Sequence, residues 1–248
     1  MNLGMSGKNI LITGAGKGMG REMAISAARE GANIAVHFHT SKDKALETVG
    51  ILRDIGVAVH PFQADISQID EIQRMKNEIH AQLGHIDYIV NNAGWAQMKS
   101  FFQYEPDEWR KEIDICFYGV LNIIHTFMPD MIKNQAGKFI NIIGDSARTG
   151  DRKLIMSAAA RNGTVSFLKS LAREVGESNI QCNTVSLGMV DQGGLGEDLI
   201  HKIRKQYPLK RLGNPEDVTG MVLFLLSEQA DWITGQVFSV NGGHSMIG

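Results

Sequence analysis

The chain has 248 residues, 43% of them hydrophobic and 21% charged, a balance that fits a soluble globular protein and excludes a disordered or fibrous one. A formal net charge of -2, with no lysine- or arginine-rich run, gives no field that would draw nucleic acid or an anionic membrane. Cys116 and Cys182 lie far apart and fit no metal-ligand spacing.

Met1–Asn9 carries no secretory pattern, so a reducing, cytoplasmic compartment is expected. The apolar stretches read as strand-sized, so no membrane span is expected.

Lys8–Thr13 reads as a strand running into Thr13-Gly14-Ala15-Gly16-Lys17-Gly18-Met19-Gly20, and Lys17–Glu30 then has helical patterning. Glycines allow a sharp turn and close approach of backbone to a pyrophosphate. The helix that follows aims free N–H groups and its positive dipole end at the phosphates. The second strand, Asn33–Phe38, leads into His39-Thr40-Ser41. Readers of NAD place an acidic residue near this point to hold ribose hydroxyls. Here no carboxylate is present to repel a 2′-phosphate, and Lys17, His39, Thr40 and Ser41 are candidate donors to one. NADP(H) is therefore expected in preference to NAD(H).

A helix at Lys42–Ile55 and a strand at Val57–Gln63 follow, then a helix at Gln68–Leu83 and a strand at Asp87–Asn91. Pro106–Ile132 reads as one helix, Lys138–Ile143 as a strand, Leu154–Glu177 as a helix and Ile180–Leu187 as a strand. Pro215–Leu226 and Gln236–Val240 close the series as helix and strand. The strands are rich in Ile, Val and Phe, as buried parallel strands are. The alternation predicts one domain over residues 1–248: a Rossmann-type, doubly wound α/β fold, with a parallel sheet of about seven strands and helices on both faces. Gly188–Tyr207 breaks the rhythm just beyond a strand's carboxyl end, where ligands bind in open sheets. Residues 188–207, with Asp191 and Gln192 near their start, are a candidate lid.

Several motifs resemble those of the short-chain dehydrogenase/reductase family. Thr13-Gly14, Gly18 and Gly20 match its Thr-Gly-x-x-x-Gly-x-Gly turn, and Asn91-Asn92-Ala93-Gly94 matches its Asn-Asn-Ala-Gly motif. Ala64-Asp65-Ile66 looks like the segment whose aspartate meets the adenine. Arg211 through Val218, and Ile233-Thr234-Gly235-Gln236 through Asn241-Gly242-Gly243, look like its C-terminal region. The match spans essentially the whole chain. It implies a cofactor site built from Gly14, Gly16, Lys17, Gly18, Met19, Gly20, His39, Thr40, Ser41, Asp65, Ile66, Asn92, Ala93, Gly94, Arg161 and Gly188. It also implies a small-molecule substrate and a homo-oligomer, dimer or tetramer. No metal is implied.

The family's chemistry uses an asparagine, a serine, a tyrosine and a lysine. The tyrosine handles the proton at the substrate oxygen, and the lysine lowers its pKa. The family spacings carry these positions onto Cys116 (seven after Trp109), Gly144 (three after Asn141), Ser157 and Arg161. All four depart from the pattern, and no tyrosine lies between Tyr118 and Tyr207. Pro-Gly after the sixth strand is Leu187-Gly188 here. A serine hydroxyl is a poor acid beside a phenol, and a guanidinium stays charged and shuttles no proton. Arg161 either contacts ribose or an anionic substrate or forms a structural salt bridge. Asp145 and Ser146 either meet the ligand or are a loop carboxylate and a helix cap. Cys116 reads as a small buried side chain rather than a nucleophile.

Two functions follow. One is a nonstandard NADP(H)-dependent oxidoreductase acting on a small carbonyl or activated alkene, its proton coming from water, Asp145 or the substrate, or a relative with altered chemistry. The other is a non-catalytic cofactor sensor or pseudoenzyme subunit.

Overall fold

The computed structural model describes residues 3–247. Met1 and Asn2, the first positions read for a leader, lie outside the described residues, as does Gly248. Among the described residues, seven strands form one sheet: Asn9–Ile12 (β1), Asn33–Phe38 (β2), Val59–Gln63 (β3), Tyr88–Asn91 (β4), Gly137–Gly144 (β5), Ile180–Leu187 (β6) and Val237–Val240 (β7). Their order is β3-β2-β1-β4-β5-β6-β7, and every pairing is parallel. The predicted doubly wound α/β fold is therefore present.

Strand periodicity divides the core in two. In β1, Ile10 and Ile12 face one side and Leu11 the other; in β2, Ile34 and Val36 oppose Ala35 in the same way. The first face is covered by Gly18–Arg29 (α1), Lys42–Ile55 (α2) and Pro215–Leu226 (α9). The second is covered by Ile69–Gln82 (α3), Gly119–Asn134 (α5) and Ile155–Val175 (α7). Because both faces are covered, the strands carry apolar residues on both sides, and this is why they read as continuous apolar runs.

Observed boundaries fall within one or two residues of most sequence readings. The Pro106–Ile132 helix is the exception. It consists of Pro106–Ile113 (α4), a π-helical turn at Asp114–Tyr118, and α5, which runs on through Pro129 to Asn134. The 3.6-residue pattern carries through all three pieces, so a single inserted residue leaves no mark on it. Its physical effect is local. Cys116 turns inward to donate through Sγ to the Trp95 carbonyl at 3.1 Å, while Tyr118 points outward and is half exposed.

Pro106–Asn134 as a whole is long and apolar enough to cross a membrane, which the sequence reading of strand-sized apolar runs overlooked. It serves as a core helix here. Val120, Ile123, Ile124, Phe127, Met128 and Met131 are all buried against α3 and β5.

Between β6 and β7 lie Glu197–Arg204 (α8) and α9, and the short helix Ser146–Thr149 (α6) follows β5. Strand order reverses at β1, which β2 flanks on one side and β4 on the other. The crevice of a doubly wound sheet opens at that point, outside the carboxyl ends of the strands.

Candidate functional site

The crevice at the carboxyl ends of the strands is one continuous cleft of about 1290 Å³. Its floor begins at the glycine turn. A Cβ at Gly20 would stand 2.2 Å from the Gly14 carbonyl oxygen, so only glycine lets α1 begin this close to β1. The N-cap residue of α1, Lys17, makes no side-chain cap, so the first amides of α1 are not satisfied by their own N-cap residue. A polar oxygen already sits on one of them: Gln192 Oε1 accepts the Met19 N–H at 3.1 Å. A helix terminus without a side-chain cap from its own N-cap residue and a turn that only glycine permits are what a bound pyrophosphate requires, and the Gln192 oxygen shows that an acceptor fits there.

His37 holds the turn from below. Its Nδ1 accepts the Gly14 N–H at 3.1 Å, and its Nε2 lies 3.0 Å from the Ala64 carbonyl, which assigns the proton to Nε2. Burial pushes its pKa down to about 4, so the ring is neutral at pH 7. His37 sits within the otherwise apolar run of β2, and no local pattern tells that its ring reaches the glycine turn.

A chain of buried polar contacts crosses the sheet. Thr13 Oγ1 accepts the N–H groups of Asn92 and Ala93, each at 2.9 Å, and donates to Asn91 Oδ1 at 3.3 Å. Asn91 Nδ2 donates to Asn141 Oδ1 at 3.0 Å, and Asn141 Nδ2 to Thr164 Oγ1 at 2.9 Å. Thr164 donates to the Arg161 carbonyl at 2.6 Å. β1, β4, β5 and α7 are thereby locked in register around the cleft.

The cleft brings together most of the residues expected to meet a cofactor: Gly14, Lys17, Gly18, Met19, His39, Thr40, Ser41, Asp65, Ile66, Asn92, Ala93, Gly94, Arg161 and Gly188. Gly16 and Gly20 do not line it; they shape the turn behind it. At the β2 end, Lys44 joins Lys17 and His39–Ser41. Lys44 lies in the first turn of α2, where the pattern reads only as an exposed helix face and carries no signal that singles it out. His39 Nε2 lies 3.8 Å from Asp65 Oδ2. Asp65 Oδ1 accepts from the N–H and the hydroxyl of Ser67, which fixes the carboxylate at the rim.

At the other end, Arg161 projects from α7 over Gly94. A Cβ on Gly94 would lie 2.7 Å from Arg161 Nη2. Among the described residues no acid forms an ion pair with it, so the guanidinium faces the cleft rather than a structural salt bridge. Trp95, Lys111, Asp114 and Ile115 line this end as well, with Lys111 Nζ 4.6 Å from the Trp95 ring centroid. The π turn aims Asp114 and Ile115 at the cleft, which helical periodicity does not foretell.

The remaining candidates stand elsewhere. Ser157, at the position the family's tyrosine spacing reaches, is fully buried, its hydroxyl donates back to the Leu154 carbonyl at 3.2 Å, and it does not line the cleft. Asp145 is also buried. Its carboxylate accepts from Ser186 Oγ at 2.6 Å, Asn241 Nδ2 at 2.6 Å and Ser245 Oγ at 2.8 Å. That knot ties β5, β6 and the C-terminal segment together, and Asp145 does not line the cleft. Ser146 opens α6 and does not line the cleft, and Gly144 does. Cys116 is buried, as expected of a small side chain.

The family model described as enoyl-(acyl carrier protein) reductase matches residues 14–245. The chain is 35% identical over 242 residues to a 3-oxoacyl-(acyl-carrier-protein) reductase FabG of Staphylococcus epidermidis, covering 96% of this chain and 99% of that protein. It is 30% identical over 246 residues to the protein of the same name from Aquifex aeolicus, covering 98% and 99%. In three dimensions it is similar to a putative short-chain alcohol dehydrogenase from Sinorhizobium meliloti 1021. The TM-score is 0.91 over 96% of both chains, at 24% identity, and that likeness concerns the fold.

Proposed function

This chain belongs to the short-chain dehydrogenase/reductase family of oxidoreductases, and on that premise we propose that it is an NADP(H)-dependent reductase of a small activated carbonyl, such as a 3-oxoacyl thioester, or of an activated alkene. The observation that carries the proposal is the single cleft. It joins the open N-terminus of α1 and the Lys17, His39–Ser41 and Lys44 cluster at one end to the Arg161 guanidinium at the other.

When bound, a reduced nicotinamide supplies a hydride. The chain's own residues bind and orient. The first amides of α1 receive the pyrophosphate, and Lys17 and Lys44 balance a 2′-phosphate. Asp65 meets the adenine edge. Arg161 donates to the nicotinamide ribose hydroxyls or to an anionic group on the substrate. The family's asparagine, serine, tyrosine and lysine are replaced by Cys116, Gly144, Ser157 and Arg161, so no side chain at the β5–β6 end supplies a proton. We assign the proton to water in the cleft. A carbonyl already polarised by its own substituents needs less acid help than a simple ketone. Residues 188–207 act as the lid over a one-domain protein, which we expect to be cytoplasmic and to form a homo-oligomer, dimer or tetramer.

A second reading, a non-catalytic cofactor sensor or pseudoenzyme subunit, is favoured by the same end of the cleft. Ile142, Ile143, Gly144, Leu187, Gly188 and Met189 line it there, and none of them is an acid.

The test is calorimetric titration with NADPH and with NADH, followed by turnover of 3-oxoacyl thioesters by the protein alone. Tight NADPH binding with turnover supports the reductase, and tight binding without turnover supports the sensor. Failure to bind either nucleotide ends both readings.

A further inference from the structure

The segment after β6 lays one of its own side chains on the phosphate turn. Gln192 Oε1 accepts the Met19 N–H at 3.1 Å, and a Cβ on Gly18 would stand 2.2 Å from that same oxygen. The oxygen therefore rests in the groove that glycine opens at the positive end of α1. Just before Gln192 the segment is anchored. The Asp191 N–H donates to the Gly213 carbonyl at 2.8 Å, and the Met189 N–H to the Tyr207 hydroxyl at 2.7 Å. Just after it the Gly193 N–H donates to Asp191 Oδ1 at 2.9 Å, a tight turn that leads into two glycines with open space around them. Gly193 and Gly194 have φ of 85° and 89°, and no atom lies within 4 Å of a Cβ built on either. A single side chain thus links an anchored segment, followed by a glycine pair, to the helix terminus.

We propose that Gln192 is a self-cap of the phosphate turn, competing with a dinucleotide's pyrophosphate for the Met19 N–H. The inference rests on the dinucleotide reading of the cleft. One amide hydrogen serves one well-aligned acceptor, so the two states exclude each other. A phosphate oxygen is charged and the Gln192 oxygen is neutral, so at a helix N-terminus the phosphate wins. Displacement releases residues 192–196 from α1, and nucleotide binding is thereby coupled to movement of the lid.

The competition predicts opposite effects of two substitutions on the full chain. Gln192→Ala removes the competitor, and NADPH should bind about five-fold tighter, the worth of one neutral hydrogen bond. Gln192→Glu places a carboxylate on the same amide, holds it more strongly and repels phosphate, so NADPH should bind about ten-fold more weakly. Independently of any nucleotide, amide exchange across residues 190–196 should be at least three-fold faster in Gln192→Ala than in the unsubstituted protein. If both substitutions weaken NADPH binding, Gln192 holds the cofactor rather than competing with it, and the inference fails. Equal affinities with unchanged exchange also overturn it. If none of the three proteins binds NADPH or NADH, the dinucleotide reading itself fails, whatever the exchange shows.

Discussion

Asn141 Nδ2 donates to Thr164 Oγ1 at 2.9 Å, and Thr164 passes the contact to the Arg161 carbonyl. The fifth strand thereby sets the helix turn that carries the guanidinium into the cleft. Thr164→Val keeps the shape and deletes both bonds, leaving a buried amide donor unpaired. It should cost about 1–3 kcal/mol of stability. Thermal unfolding reads this loss, and NADPH affinity should fall with it because Arg161 loses its fixed base.

Arg161 itself should matter for binding more than for stability. It has no acid partner among the described residues, so Arg161→Ala breaks no ion pair. A lost charge-assisted hydrogen bond is worth about 1.5–3 kcal/mol, or roughly ten-fold or more in Kd. Calorimetry on Arg161→Ala should show that weakening with a nearly unchanged melting temperature. A large fall in melting temperature with unchanged Kd would make Arg161 structural.

Lys17 and Lys44 should decide between the two nicotinamide nucleotides. Exchanging either for glutamate puts a negative charge where the 2′-phosphate is placed, while NADH has no such group to repel. The ratio of NADH to NADPH dissociation constants should fall at least ten-fold, and the effect should shrink as salt is raised. A substitution that weakened both nucleotides alike would place the phosphate elsewhere.

His37 gives the fold an acid limit. Its pKa is about 4 in the folded protein against 6.5 in the unfolded chain, because burial penalises the charged ring. The unfolded state therefore binds a proton that the native state refuses. The His37 contribution is fully present above pH 6.5 and is lost as the pH falls from 6.5 toward 4, on the order of 3 kcal/mol in all. A protonated Nδ1 also cannot accept the Gly14 N–H, so the glycine turn loosens. Urea unfolding across pH 4 to 7 should show this slope in the native protein and a much shallower one in His37→Gln.

Asp145 separates a structural carboxylate from a catalytic one. Asp145→Ala strands the Ser186, Asn241 and Ser245 donors and should cost about 2–4 kcal/mol. Below its lowered melting temperature, NADPH affinity should be within two-fold of the parent. Unchanged stability with lost turnover would return Asp145 to the active site.

Much of this protein was legible in its sequence, because the features concerned are local. Strand–helix alternation, apolar runs and the glycine spacing each depend on neighbours within a few residues, so the sheet, its helices and the phosphate turn could all be read. The family spacing could be counted off from Asn141 to Ser157 and Arg161 for the same reason. The direction of a side chain was not legible. Ser157 and Arg161 are four residues apart on one helix, yet one is sealed against Leu154 and the other lies over Gly94. Asp145 looked free because its three partners are 41, 96 and 100 residues away.

The sequence by itself determined a parallel sheet with an anion-binding turn at its first strand, since periodicity and glycine chemistry are properties of adjacent residues. Only the tertiary structure decided which polar groups face the cleft and which are consumed in tying strands together. It also showed that Gln192, 173 residues from Met19, lies on the phosphate turn. Hydrogen-bond partners of that kind are chosen by how the strands stack, and no local pattern encodes that choice.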